Sequence, residues 1–179
     1  MIQLKEIHSS DAELYAYAEH LLVATFPANE YRPLPELRAS TDHQENFHMD
    51  ILLDDETPIG LIANWEFEKF RYIEYFATDA TIRNKGYGTQ VLQLFCARSP
   101  KPVVLEIELP ETDEAIRRKG FYERNHFTAW PNEYFQPPLR KEDSYLPLMI
   151  CCYGELSPAV YFDTVKHTIH TEVYHYNLG

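Results

Sequence analysis

The pattern of apolar and polar positions predicts alternating strands and helices along the chain. "IQLKEI" at positions 2–7 alternates apolar and polar residues, as a half-buried strand does. Positions 12–26 follow with helical spacing after Ser10 and Asp11, which are good helix-capping residues, and a shorter helix is predicted over 34–40. Three further strands are predicted at 46–54, 58–67 and 71–78. Their short connections favour antiparallel pairing.

The period becomes helical again after residue 88 and stays so to Ser99. A strand is predicted at 101–109, and a helix at 110–119 that Gly120 is expected to stop. A strand, a helix and a strand in this order predict a parallel, right-handed unit inside the sheet.

The end of the chain predicts two more strands and a helix. Positions 126–131 and 144–154 read as the last pair of strands, joined by the long loop 132–143. Ser157 and Pro158 predict the start of a helix that reaches about Tyr176. The apolar stripe of this helix consists of Tyr161 or Phe162, Val165, Ile169, Val173 and Tyr176. Together these elements predict a mixed, mostly antiparallel sheet of six or seven strands with a central parallel pair, flanked by helices.

Composition limits the function classes. The chain has 179 residues, enough for one well-packed domain, and 45% of them are hydrophobic. Its formal charge is -12, from 28 acidic and 16 basic residues, and no basic stripe of useful length is present. We therefore expect no nucleic-acid partner. The acidity fits a cationic amine substrate, and equally a surface that is acidic for solubility.

Cysteine and histidine usage adds little chemistry. Cys96, Cys151 and Cys152 form no even disulfide framework, which suits a reducing cytoplasm, so packing is their expected role. His167 and His170 have HxxH spacing but no third ligand with matching spacing, so we expect an exposed polar face and no metal. Apolar runs are shorter than a bilayer span, and the protein is expected to be soluble and cytoplasmic, without membrane contact.

The segment 82–90, "IRNKGYGTQ", is the main candidate for chemistry. Gly86 and Gly88 allow close approach to the N–H groups that start the following helix, while Arg83 and Lys85 add positive charge. By itself the segment is equally an ordinary turn. The dinucleotide fingerprint would need glycine at Val91, and the P-loop sequence GK[ST] is absent, so a phosphate site here is of another kind.

These residues resemble a family. "RNKGYG" is similar to the R/Q-x-x-G-x-G/A signature of the GCN5-related N-acetyltransferases (GNAT), and "YIEYFATDATI" before it is similar to the strand that precedes that signature. "VVLEIELPETDEAIRRKGFYERNHF" looks like the next strand, helix and "FYERxGF" segment. The chain is identified as a bacterial-type member with an unknown acceptor. His126 departs from the pattern, because many members have glycine there.

The resemblance implies a fold, a domain order and a cofactor. It covers about positions 1–153, the expected acetyltransferase domain, and leaves 154–179 as a helical extension packed on it or on a partner subunit. The donor would be acetyl-coenzyme A, with its pyrophosphate on the glycine loop and its pantetheine arm along the preceding strand. The residues implied for this binding are Phe76, Ala77, Thr78, Arg83, Asn84, Lys85, Gly86, Tyr87, Gly88 and Thr89.

Acetyl transfer to an amine needs a proton acceptor for the amine and a proton donor for the leaving thiolate. The resemblance implies Tyr122 as the acid. For the base we choose Glu74, which lies two residues before Phe76 on the same strand and so shares its face. A water chain in place of this base and a purely structural Glu74 both stay open.

The acceptor is expected to be a primary amine, on a small molecule or a peptide. The resemblance places it against Glu30, Tyr31 and Arg32 from the loop between the first helices, and against Trp130 and Tyr134 near the last strand. Aromatic-rich loops are also common as packing. A non-catalytic acetyl-coenzyme A sensor, and transfer of another acyl group, are the alternatives, and the protein is expected to be a monomer or a homodimer.

Overall fold

The computed structural model describes residues 1–176, and the chain divides into two compact units, Met1–Val103 and the part that begins at Val104. The predicted boundary after residue 153 stays a prediction. The helices are α1 (Ala12–Thr25), α2 (Leu34–His43), α3 (Tyr87–Ala97), α4 (Asp113–Arg124) and α5 (Pro158–Thr168). The strands are β1 (Ile2–Ile7), β2 (Phe47–Asp54), β3 (Thr57–Glu66), β4 (Arg71–Thr78), β5 (Val103–Glu108), β6 (Phe127–Ala129), β7 (Tyr134–Gln136) and β8 (Leu146–Tyr153).

The first unit is an antiparallel sheet in the order β1-β2-β3-β4, as the short connections predicted. Ile51 pairs with Leu61, and Ile62 pairs with Phe76 on the next strand. Helix α1, whose Leu22 is buried, packs on β3 and β4, while α2 packs on β2 and α3 on β1. Because β2 and β3 are buried along almost their whole length, this sheet has helices against its apolar faces.

A β-bulge interrupts β4 at one of the predicted functional positions. Ile73 pairs with Asn64 and Tyr75 pairs with Ala63, so Glu74 is the extra residue of the bulge. Bulges redirect side chains and are common beside active sites. The prediction that Glu74 and Phe76 share a face assumed regular alternation of side chains along β4. The bulge interrupts this alternation at Glu74.

The second unit contains the remaining four strands. β8 lies between β5 and β6, and its other end pairs antiparallel with β7. β7 falls inside the segment 132–143, which the sequence predicted as a loop, and it brings the strands of the described residues to eight. Its three residues are too few for a periodic signal, so only pairing with Leu146–Leu148 makes it a strand.

Helix α4 runs through Gly120, so the prediction that this glycine stops the helix was wrong. The helix ends at Arg124, and His126 two residues later has a φ of 68°. A left-handed residue just past a helix is the usual stop signal, and it is commonly glycine. Here His126, at the position where the family resemblance implies glycine, supplies that conformation.

Helix caps follow the predicted positions but not the predicted bonds. Pro158 opens α5 as predicted, whereas the Ser157 side chain makes no capping bond. The Asp11 side chain likewise does not cap α1, because its carboxylate accepts from the His8 N–H at 3.0 Å.

The C-terminal helix ends earlier than predicted and changes type. α5 ends at Thr168, and a π-helical turn, Ile169–Val173, continues the chain. Val165, Ile169 and Val173 are at most 1% exposed, which confirms this part of the predicted apolar stripe. Tyr176, predicted as the end of the stripe, is half-buried and lies beyond the helical turn. Positions 177–179 of the predicted extension lie outside the described residues.

Candidate active site

The loop between β4 and α3 is held in a defined shape by its own residues. The Asp79 carboxylate accepts from the Thr81 N–H at 2.9 Å and from the Thr81 hydroxyl at 2.8 Å, which fixes the turn after β4. Asn84 and Gly86 both have left-handed backbone angles, with φ of 71° and 76°. Asparagine and glycine are the residues that adopt this conformation most easily, so the local sequence specifies the loop.

Helix α3 begins at the end of this loop, with Gly86 as the residue before its first turn. N–H groups in a first helical turn have no acceptor within the helix, and they lie at the positive end of the helix dipole. Arg83 and Lys85 are exposed beside them. Gly86 is exposed, and a Cβ added there would have no heavy atom within 4 Å beyond its two chain neighbours, so the space beside this glycine is open. The arrangement suits an anionic ligand such as a pyrophosphate.

The Tyr87 side chain ties the start of α3 to the β2–β3 turn. Its hydroxyl donates to the Asp54 carboxylate at 2.8 Å. This bond is the main cause that lowers the pKa of Asp54 below its ordinary value. The phenol of Tyr87 is therefore engaged away from the loop, and the part of Tyr87 left for an anion is its backbone N–H.

The predicted pantetheine residues lie at the end of β4. Phe76 and Thr78 are half-buried, whereas Ala77 between them is buried at 4% exposure. Ala77 pairs with Leu61 and Thr78 with Gly60 on β3, so the backbone on that side is used by the sheet.

The predicted base, Glu74, lies in a buried ion pair. Its two oxygens accept from the Arg32 guanidinium at 2.8 Å and 3.1 Å, and one of them also accepts from the Trp65 indole at 2.8 Å. The Arg32 and Glu74 side chains are 3% and 2% exposed. A predicted acceptor residue and the predicted base thus meet, and their contacts favour the structural alternative for Glu74.

Arg32 anchors the loop between α1 and α2 to the sheet. Its guanidinium lies 5.3 Å from the Phe47 ring and 5.5 Å from the Trp65 ring, and it donates to the Ser40 hydroxyl at 3.0 Å. Its backbone N–H donates to the Tyr75 hydroxyl at 2.8 Å. Arg32 is enclosed on all these sides, so of the three predicted acceptor residues in this loop only the half-buried Glu30 and Tyr31 have surface to offer a substrate.

The predicted acid, Tyr122, lies on α4 in the second unit. Its ring packs edge-on against Phe121 and Phe127, with centroids 5.2 Å and 5.5 Å away, and the residue is 8% exposed. Burial raises the pKa of the Tyr122 phenol well above its ordinary value. The phenol is therefore protonated at neutral pH, as an acid must be before it acts.

The other two predicted acceptor residues are also buried, at 3% for Trp130 and 2% for Tyr134. Both contact the Phe162 ring of α5, each with a centroid separation of 6.4 Å. The structure therefore brings these two residues together under the C-terminal helix, and Tyr134 also contacts the His170 ring at 5.4 Å.

A carboxylate that the sequence analysis did not single out lies beside Tyr134. Glu106 is half-buried on β5, and its two oxygens accept from the hydroxyls of Tyr134 and Tyr174, each at 2.5 Å. Burial, followed by the charge of Glu106, raises the pKa of Tyr134 well above its ordinary value, so this phenol stays a donor. One signal was available: Glu106 is an acidic residue in the middle of the apolar run "VVLEI".

Metal and membrane chemistry find no support in the described part of the chain. Across residues 1–176 no group of three or more potential ligands that could hold a metal ion occurs, and no helix is long and apolar enough to cross a membrane. The predicted exposed face holds for His167, which is exposed, but it is wrong for His170, which is 5% exposed. Burial raises the pKa of the Cys151 and Cys152 thiols to about 12, which agrees with a packing role.

The model of the acetyltransferase (GNAT) family matches residues 12–127, well over half of the chain. The chain therefore belongs to the acetyltransferase (GNAT) family, and the predicted family, fold class and acyltransferase class are confirmed at that level.

Three similar proteins extend this finding. A GNAT-family structure from Bacteroides thetaiotaomicron is 41% identical, with a TM-score of 0.95 over 98% of this chain and 99% of that one. YjbC of Bacillus subtilis strain 168, named as an acetyltransferase, is 28% identical over 104 residues, 55% of this chain, and the chain spans only 53% of its length. A Bacillus subtilis acetyltransferase structure in complex with coenzyme A shares the fold at 12% identity, with a TM-score of 0.57 over 87% of this chain and all of that one.

Proposed function

We propose that the protein is an N-acetyltransferase that moves the acetyl group of acetyl-coenzyme A to a primary amine by direct attack. The observation that carries the proposal is the loop before α3, where two left-handed residues precede an open helix N-terminus flanked by Arg83 and Lys85. Such a site binds phosphate groups through backbone N–H donors. Family membership makes coenzyme A the phosphate-bearing molecule that fits.

The donor supplies its acetyl group as a thioester. The neutral amine forms a C–N bond to the acetyl carbon, the C–S bond breaks, and the electron pair leaves with sulfur. Tyr122 is the proposed donor of a proton to that thiolate, supported by its place in the family motif and by its protonated phenol. The ammonium loses one proton before the attack, to a carboxylate or through water. The nitrogen loses a second proton as the amide forms, and this proton returns Tyr122 to its protonated state.

Glu106 is the carboxylate we propose for that proton and for holding the acceptor's ammonium group. It lies on β5, in the same compact unit as Tyr122, and its direct partner Tyr134 is one of the residues that the family resemblance placed at the acceptor. The partner of Glu74, by comparison, is a positively charged guanidinium, whereas the phenols that donate to Glu106 are neutral and do not offset its charge. Glu74 as the base stays a prediction, and the contacts support Glu106 over it.

Thiol release from acetyl-coenzyme A, measured with a panel of a polyamine, an aminoglycoside, an amino acid and a peptide with a free N-terminus, tests the function. We expect turnover with at least one amine, and a fall of about 100-fold or more in kcat for Tyr122→Phe and Glu106→Gln, since general acid or base catalysis contributes about that much. Coenzyme A affinity should be nearly unchanged in both variants.

Three outcomes of that assay contradict the proposal or one of its parts. Tight coenzyme A binding with no turnover on any amine indicates a sensor. Turnover that requires a longer acyl thioester indicates another donor. Unchanged kcat in Tyr122→Phe or Glu106→Gln removes the role given to that residue.

A further inference from the structure

The C-terminal segment makes a hydrogen bond to β5. This segment is α5 with the following turn up to Tyr176, and it lies beyond residues 12–127, which the family model matches. The Tyr174 hydroxyl donates to Glu106, 68 positions earlier in the chain, at 2.5 Å. An element outside the matched region therefore supplies a direct partner of the carboxylate that we place at the acceptor.

The two phenols hold the carboxylate from different elements. Tyr134 of β7 donates to Oε2 of Glu106, and Tyr174 donates to Oε1. Bonds this short are typical of a hydroxyl that donates to an ionised oxygen, and they are about twice as strong as neutral ones. A single donor would let the carboxylate group rotate about its last torsion, whereas donors on both oxygens fix its plane.

The π-helical turn aims Tyr174 at this position. The Tyr174 N–H donates to the Ile169 carbonyl at 3.2 Å, five residues back, whereas an α-helix would bond four residues back. The extra residue in the turn rotates everything after it around the helix axis, while Ile169 and Val173 stay fully buried. Turns of this type occur frequently at functional sites.

The surroundings make the position rigid. The His170 side chain, 5% exposed, packs against the Tyr134 ring at 5.4 Å and against the Tyr174 ring at 6.4 Å. The C-terminal segment therefore holds the Tyr174 ring through His170, while the Tyr174 hydroxyl bonds to Glu106 on β5.

We propose that the C-terminal segment contributes to the acceptor site through one residue, Tyr174, which is the positioning residue for the Glu106 carboxylate. This inference rests on the acceptor role proposed for Glu106. The acceptor's ammonium group would meet a carboxylate whose plane is set by Tyr134 and Tyr174, so the segment controls how well the amine is oriented, while donor binding is independent of it.

The test is steady-state kinetics of Tyr174→Phe with the amine that gives turnover. Loss of one hydrogen bond to a charged group predicts a fall of about 10-fold or more in kcat/KM for the amine. The KM for acetyl-coenzyme A should stay unchanged. Tyr176→Phe is the matched control, because it removes a phenol of the same segment that bonds to Tyr145 instead, and its kinetics should match the wild type.

A double-mutant cycle separates positioning from general support of the fold. In the Glu106→Gln background, Tyr174→Phe should cause little further loss, whereas a structural role would add its full effect. Tyr134→Phe is a second donor variant with the same expectation, and thermal unfolding checks that each variant is folded. Wild-type amine kinetics in Tyr174→Phe, with activity lost in Glu106→Gln, would overturn the positioning role alone. Full activity in Glu106→Gln would overturn the role of Glu106 and this inference with it.

Discussion

At the scale of the residue, backbone angles explain one departure from the family pattern. His126 has a φ of 68°, the left-handed conformation for which glycine is the ordinary choice. Asn84 in the glycine loop has a φ of 71° and is similarly one of the residues that tolerate this conformation. The histidine therefore keeps the turn after α4 that a glycine would make, and its own N–H still bonds the Glu123 carbonyl at 3.1 Å.

The role of Glu74 depends on a partner that the residues next to it in the sequence do not indicate. Its partner Arg32 lies 42 positions away, and the pair is sealed between aromatic rings. A buried ion pair is held together at a high desolvation cost, so the loss of one charge leaves the other buried and unpaired.

Glu74→Gln is therefore expected to destabilise the fold. The free energy of unfolding should fall by about 3 kcal/mol or more, as for other broken buried ion pairs. Urea denaturation followed by circular dichroism measures it. A variant of wild-type stability with strongly reduced kcat would instead restore Glu74 as the base.

Glu66→Gln is the matched control for that measurement. Glu66 is bonded to Lys101 at 3.0 Å, and the two side chains are 46% and 32% exposed. Such surface pairs contribute up to about 1 kcal/mol, so this variant should unfold nearly like the wild type.

At the scale of the element, the C-terminal helix combines a predicted stripe with a turn that periodicity does not show. The stripe buries Val165, Ile169 and Val173, and these residues are covered within the same chain. His170 lies in the π-helical turn, next to Ile169 of the stripe, and is buried too. The histidine is thereby placed against Tyr134 and does not face the solvent.

This placement predicts a pH dependence of stability. Burial, and after it the charge of Lys166, lowers the pKa of His170 from 6.5 to about 4. Between these values the unfolded chain binds the proton and the folded one does not, so the free energy of unfolding falls as the pH falls through this window. From about pH 7.5 to about pH 5 the contribution of His170 amounts to about 2 kcal/mol.

Denaturation curves at the two pH values check this prediction against a variant. His170→Phe keeps a ring in the same place without a titrating group, so its loss of stability on acidification should be smaller than that of the wild type. His167→Asn, at the exposed histidine of the same helix, should keep the wild-type difference. Equal losses in all three proteins would show that His170 does not titrate in this way.

At the scale of the whole molecule, acetyl-coenzyme A is an anionic ligand, and the protein has a net charge of -12. The negative field of the protein opposes binding of a phosphate-bearing ligand. Hydrogen-bond donors and positive charges at the binding site must therefore overcome this field. In the first unit these donors are the first turn of α3 with Arg83 and Lys85.

Arg83→Ala is expected to raise the KM and the Kd for acetyl-coenzyme A about 10-fold or more, since a hydrogen bond to a charged phosphate is lost. The kcat at saturating donor should change little. Arg117→Ala, at an exposed arginine of α4, changes the net charge equally, from -12 to -13, and should leave both constants unchanged. Equal effects of the two substitutions would mean that overall charge, and not a contact at the loop, controls donor binding.

The order of elements was predictable because each carries its own signal. Alternation in "IQLKEI" predicted β1 at its observed bounds, and helical spacing predicted α1 within one residue. β7 and the π-helical turn escaped prediction, because three paired residues and one extra residue in a turn leave no periodic trace. The helix end near Gly120 was misplaced, since a glycine permits a stop and does not require one.

The sequence by itself determined the family, the course of strands and helices, and the glycine loop, since these depend on residues close together along the chain. Only the tertiary structure decided which hydrogen-bond partners each of the two carboxylates has. It enclosed Glu74 with Arg32, and it placed Glu106 between two tyrosines that follow it by 28 and 68 positions. The physical reason is that hydrogen-bond partners of a buried charge are chosen by distance in space, and sequence spacing carries no record of contacts made through packing.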